Sequence, residues 1–244
     1  MSVVVHDIVG NSSSATLDLT ADVGSTDDRK GILWAIVQDP AGDNTTITCE
    51  RDPTGTPESA TEIASGTFVE DGTDYHVLAW RIDLSVTGSQ TFRLERNGTA
   101  LGTMQLGLIV EDGLDAGAHE ALATDYTFSS VNTMTDDITT VAANAVVFAL
   151  GGVKGTTDNV DDWTTDNLDA AEDQATQGGT TALIVGRSVE ATAGTVTADL
   201  DYEPAGTPTT FAAGAMITVS FAPAVTSYTL VVDPDSVAIT DTDV

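Results

Sequence analysis

Short runs rich in Val, Ile, Thr and aromatic residues recur along the chain, separated by clusters of Gly, Asp, Asn and Pro. Because helical periodicity is almost absent between these runs, the pattern predicts an all-β chain and not a sheet whose strands alternate with helices. The predicted strands are 3–9, 15–20, 31–38, 44–50, 75–84, 90–96, 103–111, 122–128, 145–150, 181–190, 195–203 and 214–222. Their spacing indicates one antiparallel β-sandwich domain over residues 1–222.

The distribution of apolar residues within the strands predicts which of them are central. Residues 31–37 and 145–150 are apolar without alternation, which is typical of strands buried on both faces. Residues 91–96 and 195–201 alternate, so we expect one face of each to meet solvent. The side chains expected in the core include Trp34, Cys49 and Trp80.

Two stretches depart from the strand pattern. Residues 152–180 are dense in Asp, Thr, Gly, Gln and Asn and are predicted to form an acidic loop insertion, in which 169–175 are compatible with one or two helical turns. Residues 223–244 carry two apolar runs around a turn at 233–235. Two strands are marginal alone, so we expect an arm that pairs with a sheet edge of a partner, with a hairpin on its own body as the alternative. The expected interface residues are Tyr228, Leu230, Val232, Val237 and Ile239.

The charge balance restricts the environment and the partners. Asp and Glu total 38 against 8 Lys and Arg, which gives a net charge of −30 spread over the whole chain. Repulsion of this size is screened where the Debye length falls to about 3 Å, near 1 M salt, so the composition indicates a protein of a high-salt cytoplasm. Without clusters of Lys and Arg, no nucleic-acid partner is expected. No apolar run approaches the length of about 18 residues needed for membrane insertion, and residues 1–7 lack the features of a secretory signal.

The motifs of catalysis and metal binding are missing from the sequence. His6, His76 and His119 lie on separate segments without zinc-ligand spacing, and neither a nucleophile elbow nor a phosphate loop is present. We therefore expect no enzyme activity, no catalytic residue and no cofactor. The candidates for a hard-cation site are Asp158, Asp161, Asp162 and Asp166. The central Gly and terminal Glu of a calcium loop are absent there, which favours a solvated acidic loop.

Two features of the sequence bear on glycans, namely three glycosylation sequons and one tryptophan in the acidic insertion. Asn11, Asn44 and Asn97 begin glycosylation sequons, but such matches are ordinary in a chain so rich in Ser and Thr, and we expect them to be unmodified. Trp163 lies in the acidic insertion, where an exposed aromatic ring can stack on a sugar or a partner surface. Packing in a core or an interface is the alternative for this side chain.

The order of the strand segments resembles a known family. The segments that carry the resemblance are 15–19, 24–37, 46–49, 77–82, 88–94, 104–113, 145–152 and 215–224. Together they are similar to the jelly-roll-like β-sandwich of virion structural proteins of tailed viruses, among them head turret, head decoration and tail modules. The resemblance implies no catalytic residues, a position on the virion surface, and assembly as a cyclic homo-oligomer with other virion structural proteins. With the acidic composition, it indicates a tailed virus of haloarchaea.

A second function is compatible with the same strand rhythm, which also occurs in lectin-like sandwiches. The alternative is a carbohydrate- or receptor-binding module of a viral tail or an archaeal cell surface, with a host cell-surface glycan as its partner.

Overall fold

The computed structural model describes residues 3–11, 14–24, 29–52, 54–99, 102–115, 117, 119–129, 133–155, 163–164, 170–177, 181–202 and 211–224. The strands are β1 Val3–Asn11, β2 Thr16–Asp22, β3 Arg29–Asp39, β4 Ile47–Arg51, β5 Glu58–Ser59, β6 Thr61–Glu70, β7 Thr73–Leu84, β8 Ser89–Arg96, β9 Met104–Asp112, β10 Ala121–Ser129, β11 Thr133–Thr140, β12 Ala145–Gly155, β13 Trp163–Thr164, β14 Ala170–Gln177, β15 Thr181–Glu190, β16 Gly194–Tyr202 and β17 Phe211–Phe221. No helix occurs in these ranges, and every strand pair in them is antiparallel. The prediction of an all-β, antiparallel chain is confirmed.

Each predicted strand overlaps an observed one, but the pattern missed β5, β6, β11, β13 and β14. β6 and β11 lack a run of apolar residues because Ser, Gly, Glu and Asp interrupt them. The helical turns expected at 169–175 are wrong, since β14 pairs with β15 in an extended conformation. A helix this short is unstable alone, and the ladder of hydrogen bonds along β15 outweighs the helical preference of the Ala and Glu residues.

The strands form four sheets, two in each half of the chain. In the first half, inner sheet 1 has the order β1-β9-β3-β7-β6 and outer sheet 1 the order β2-β8-β4-β5. In the second half, inner sheet 2 has the order β10-β17-β12-β15-β14 and outer sheet 2 the order β11-β16-β13. If β1–β4 are matched with β10–β13, and β6–β9 with β14–β17, the two inner orders become identical. The outer orders then also agree, apart from β5, so the fold is an internal duplication.

Apolar side chains fill three layers between the four sheets. The central layer lies between the inner sheets and includes Ile32, Trp34 and Ile36 of β3 with Val146, Phe148 and Leu150 of β12. Residues of opposite parity on the same two strands fill the other layers, which lie between each inner sheet and the outer sheet of its own half. β3 and β12 are therefore buried on both faces, as predicted. The core positions expected for Trp34, Trp80 and Cys49 are also confirmed.

The contacts between the inner sheets follow a two-fold pattern. β1 contacts β14, and the equivalent pair β10 and β6 is also in contact. In the same way β9 contacts β15 while β17 contacts β7, and the equivalent strands β3 and β12 contact each other. Reciprocal contacts of this kind define an isologous interface, in which the same surface is used by both partners. The duplicated halves thus pack as a dimer within one chain.

A buried ion pair joins the two halves inside this interface. Glu111 of β9 is fully buried, and its carboxylate accepts two hydrogen bonds of 2.9 Å each from the guanidinium of Arg187 on β15. Arg93 and Asp18 form the same two-bond arrangement, with distances of 2.7 Å, on the solvent-facing side of outer sheet 1. The two pairs differ mainly in burial, so they can be compared directly.

Glu111→Gln is expected to lower the free energy of unfolding by about 3–5 kcal/mol, because it leaves the Arg187 charge buried without its counter-ion. The measurement is urea denaturation at constant high salt. Asp18→Asn is the matched control and is expected to cost at most about 1 kcal/mol, since exposed pairs contribute little. Equal effects of the two substitutions would contradict a buried pair between the halves.

Candidate functional site

A cleft opens at one end of the first half, where outer sheet 1 leaves part of inner sheet 1 uncovered. Its volume is about 410 Å³. One wall is the chain segment 44–48, which includes the start of β4, and the other is β6 with Glu62, Ser65 and Thr67. His76 and Leu78 of β7 also line it. We call this space the first-half cleft; its lining is rich in hydroxyl groups.

Three residues of the cleft region form a hydrogen-bonded chain. Thr67 and His76 are directly opposite each other on β6 and β7, and Thr67 Oγ1 lies 3.1 Å from His76 Nδ1. His76 Nε2 lies 3.3 Å from Oδ2 of Asp39, at the end of β3. An ionised carboxylate only accepts hydrogen bonds, so Nε2 carries a proton; in the neutral imidazole Nδ1 then accepts from the Thr67 hydroxyl. The orientation of the imidazole ring is thereby fixed.

Asp39 also holds the turn that forms the wall of the cleft. Its side chain is 1% exposed and accepts hydrogen bonds from the backbone amides of Asp43, at 3.2 Å, and Asn44, at 2.9 Å. Burial alone would raise the pKa of Asp39, but the hydrogen bonds from Asn44, His76 and Asp43 outweigh it and lower the pKa below its usual value. The carboxylate is therefore ionised at neutral pH.

The two chain segments that begin at Asn44 and Asn97 are joined by hydrogen bonds, which stabilise the same wall of the cleft. Asn97 Oδ1 accepts hydrogen bonds from the amides of Thr45 and Thr46, at 3.0 and 2.9 Å, and its Nδ2 donates to Thr45 Oγ1 at 2.8 Å. Asn44 Oδ1 accepts from the Gly98 amide at 2.6 Å. The oxygen atoms of both side-chain amides, and the amide nitrogen of Asn97, are thus engaged in the fold. The Asn11 side chain lies outside what the structure describes.

One buried donor at the cleft has no partner in the described part of the chain. Asn44 is 8% exposed, and its Nδ2 group donates no hydrogen bond there, although its Oδ1 is satisfied by Gly98. The Gly98 amide fixes the direction of the side chain, because exchanging oxygen and nitrogen would place two donors face to face. A buried, unpaired amide costs free energy unless a further acceptor reaches it.

Other reactive groups of the described residues lie away from this cleft. Burial raises the pKa of the Cys49 thiol to about 12, so almost no thiolate forms at neutral pH. His119 lies between β9 and β10, where burial and the Arg81 guanidinium lower its pKa. Among the described residues, no cluster of three or more potential ligands is suited to a metal ion.

The candidate cation-site and interface residues predicted from the sequence lie outside the part of the chain that the structure describes. Asp158, Asp161, Asp162 and Asp166 lie outside the described residues, as do Tyr228, Leu230, Val232, Val237 and Ile239. The backbone of Trp163 is in β13, opposite Tyr202, but its side chain is not among those that the structure describes. Asp39 and Thr67 belong to no motif recognisable in the sequence, and His76 has no zinc-ligand spacing. The Thr67–His76 contact depends on β6, which the apolar pattern did not detect.

Comparison with known proteins identifies no relative of the chain. No protein-family model matches it, no curated protein matches it, and no solved structure gives a significant match. Within the described ranges, no helix has the length and apolar character required to cross a membrane.

Asp39→Asn is expected to lower the free energy of unfolding by about 1–3 kcal/mol at neutral pH, because it weakens the acceptor for the backbone amides of Asp43 and Asn44. A lowered folded-state pKa stabilises the fold above the unfolded value of about 3.9, and this stabilisation is lost as the pH falls through the folded value. The difference between wild type and variant should therefore shrink below about pH 3.9. Thermal unfolding at constant salt, at neutral and acidic pH, measures it.

Asp71→Asn is the control for this measurement, since Asp71 lies exposed in the turn between β6 and β7. It should change stability little at either pH. An Asp39→Asn effect that is the same at both pH values would contradict the role of the ionised carboxylate.

Proposed function

We propose that the protein is a structural module on the surface of a virus particle, with its first half built as a jelly roll. The observation that carries the proposal is the strand order. β5 and β6 are separated only by Ala60 and pass from outer to inner sheet 1, so together they count as one strand. The first half then has its first, eighth, third and sixth strands in the inner sheet and its second, seventh and fourth in the outer sheet, while the fifth strand belongs to the outer sheet through β5 and to the inner sheet through β6. We interpret this arrangement as the strand order of a jelly roll, a fold that recurs in viral capsid proteins, and it supports the proposal.

The surface charge supports a particle that exists in concentrated salt. With a net charge of −30, the folded chain repels itself and its own copies in dilute buffer. Salt near the molar range screens this repulsion and strengthens the burial of apolar surface. We propose a haloarchaeal tailed virus as the source, and a turret or decoration of the head as the position, with assembly into a closed homo-oligomer as the activity.

A second candidate function is a carbohydrate- or receptor-binding module, because jelly rolls also occur in lectin domains. The first-half cleft favours this candidate. It is open, lined by hydroxyl groups, and contains the unpaired Asn44 amide. The two functions are compatible in one chain, since a surface component of a particle can both assemble and recognise a ligand.

Assembly is expected to depend on the segment 225–244 and on salt. In about 3 M NaCl, where the Debye length is below about 3 Å, the full chain should sediment as one closed oligomer. A chain ending at residue 224 should keep its β-sheet circular dichroism but sediment as a monomer, because the expected arm is missing. Below about 0.5 M NaCl the full chain should also lose its assembly or its fold.

Point substitutions test whether the apolar runs of the arm are required for assembly. Leu230→Asp places a charge in the first apolar run and should abolish assembly, whereas Thr242→Asp, beyond both runs, should not. A truncated chain that unfolds would place the segment in the core. A full chain that stays monomeric in concentrated salt would contradict a self-assembling module.

A further inference from the structure

Residues of the first-half cleft can be compared with the equivalent positions of the second half, because both halves have the same inner strand order. β3 and β12 both contain 11 residues, so Val37 corresponds to Val153 and Asp39 to Gly155. His76 is opposite Val37, and Ala182 is opposite Val153, so His76 corresponds to Ala182. Gly155 and Ala182 are buried and carry no polar side chain. The same strand order therefore forms without the Asp39–His76 pair, which means that the fold itself does not require it.

The hydrogen bonds within the cleft leave acceptor oxygens facing solvent. With a neutral His76 imidazole, the Thr67 hydroxyl donates its proton to His76 Nδ1, and the Ser65 hydroxyl donates to Glu62 Oε1 at 2.6 Å. Each hydroxyl has a single proton, so both oxygens keep lone pairs that can accept hydrogen bonds. The second carboxylate oxygen of Glu62 is a further acceptor. All three side chains are exposed, and the wall formed by β6 therefore selects a ligand rich in donors.

The opposite wall requires an acceptor. Asn44 Nδ2 is a buried donor that binds nothing in the described chain, and Ile47 and Leu78 add apolar surface to the lining. A neutral sugar meets all of these conditions, because its hydroxyl groups donate and accept while its C–H groups cover apolar carbon. An ammonium ligand cannot accept a hydrogen bond from Asn44 Nδ2. An anionic ligand is repelled by Glu62 and by the net charge of −30.

We propose that the first-half cleft binds a neutral saccharide, with Thr67, Ser65 and Glu62 as acceptors for its hydroxyl groups and Asn44 as a donor. The volume of about 410 Å³ lies within the range of small-molecule clefts. Hydrogen bonds to a neutral ligand are not screened by concentrated salt, whereas a charge-paired ligand would be released. The inference rests on the second candidate function and is independent of the assembly proposal.

Saturation-transfer NMR of the full chain in about 3 M NaCl tests the inference with a panel of neutral hexoses, N-acetylhexosamines and their disaccharides. At least one saccharide should receive transfer from the protein. Thr67→Val keeps the β-branched shape but removes the acceptor, and it should weaken the binding about tenfold or more. Glu62→Gln, at an exposed position, should weaken it as well and serves if Thr67→Val does not fold.

Thr20→Val is the matched control. Thr20 is also an exposed strand residue with a hydroxyl–hydroxyl hydrogen bond, of 2.9 Å to Thr91, but it lies on outer sheet 1 away from the cleft. Its substitution should leave saccharide binding unchanged. The inference is overturned if no saccharide in the panel binds, if binding survives both Thr67→Val and Glu62→Gln, or if only an alkylammonium probe binds.

Sedimentation of the same samples distinguishes this inference from the assembly proposal. A monomer that binds a saccharide would contradict assembly and support the cleft. An oligomer that binds none would contradict the cleft and support assembly.

Discussion

Each inner sheet is apolar on both of its faces, and such a sheet is stable only when both faces are covered. The outer sheet of the same half covers one face, and the inner sheet of the other half covers the second. A fully buried Val, Leu, Ile or Phe side chain contributes about 1.5–3 kcal/mol, so the central layer around Trp34 and Phe148 is a large part of the stability. Neither half can expose this face to water without losing that contribution, which makes the two halves dependent on each other.

The packing of the central layer also constrains individual residues. Trp34 and Gly107 are directly opposite each other on β3 and β9, and a Cβ atom at Gly107 would lie 2.5 Å from the Trp34 ring. The absent side chain thus makes room for the indole in the central layer. Glu111 and Arg187 add a polar link whose geometry is specific, so the interface fixes one relative position of the halves.

The all-β class and most of the inner strands were predictable from sequence because these strands have a strong apolar signal, whereas the four sheets in two repeated halves were not predicted. β3 and β12 are continuous apolar runs, and no competing structure can bury them as well. β6 and β11 gave no such signal, since their stability comes from pairing with β7 and β16. The cleft was unpredictable for the same reason: Thr67 and His76 meet only through the β6–β7 register, and Asp39 reaches His76 only once β3 and β7 are paired.

Hydrogen exchange of the full chain in about 3 M NaCl tests most directly whether the two halves share one core. The amides of β3, β7, β12 and β15 should exchange only through global unfolding, with one common free energy of opening. Glu111→Gln should lower this value equally for strands of both halves. Separate values for the two inner sheets, or an effect of Glu111→Gln confined to the first half, would contradict a shared core.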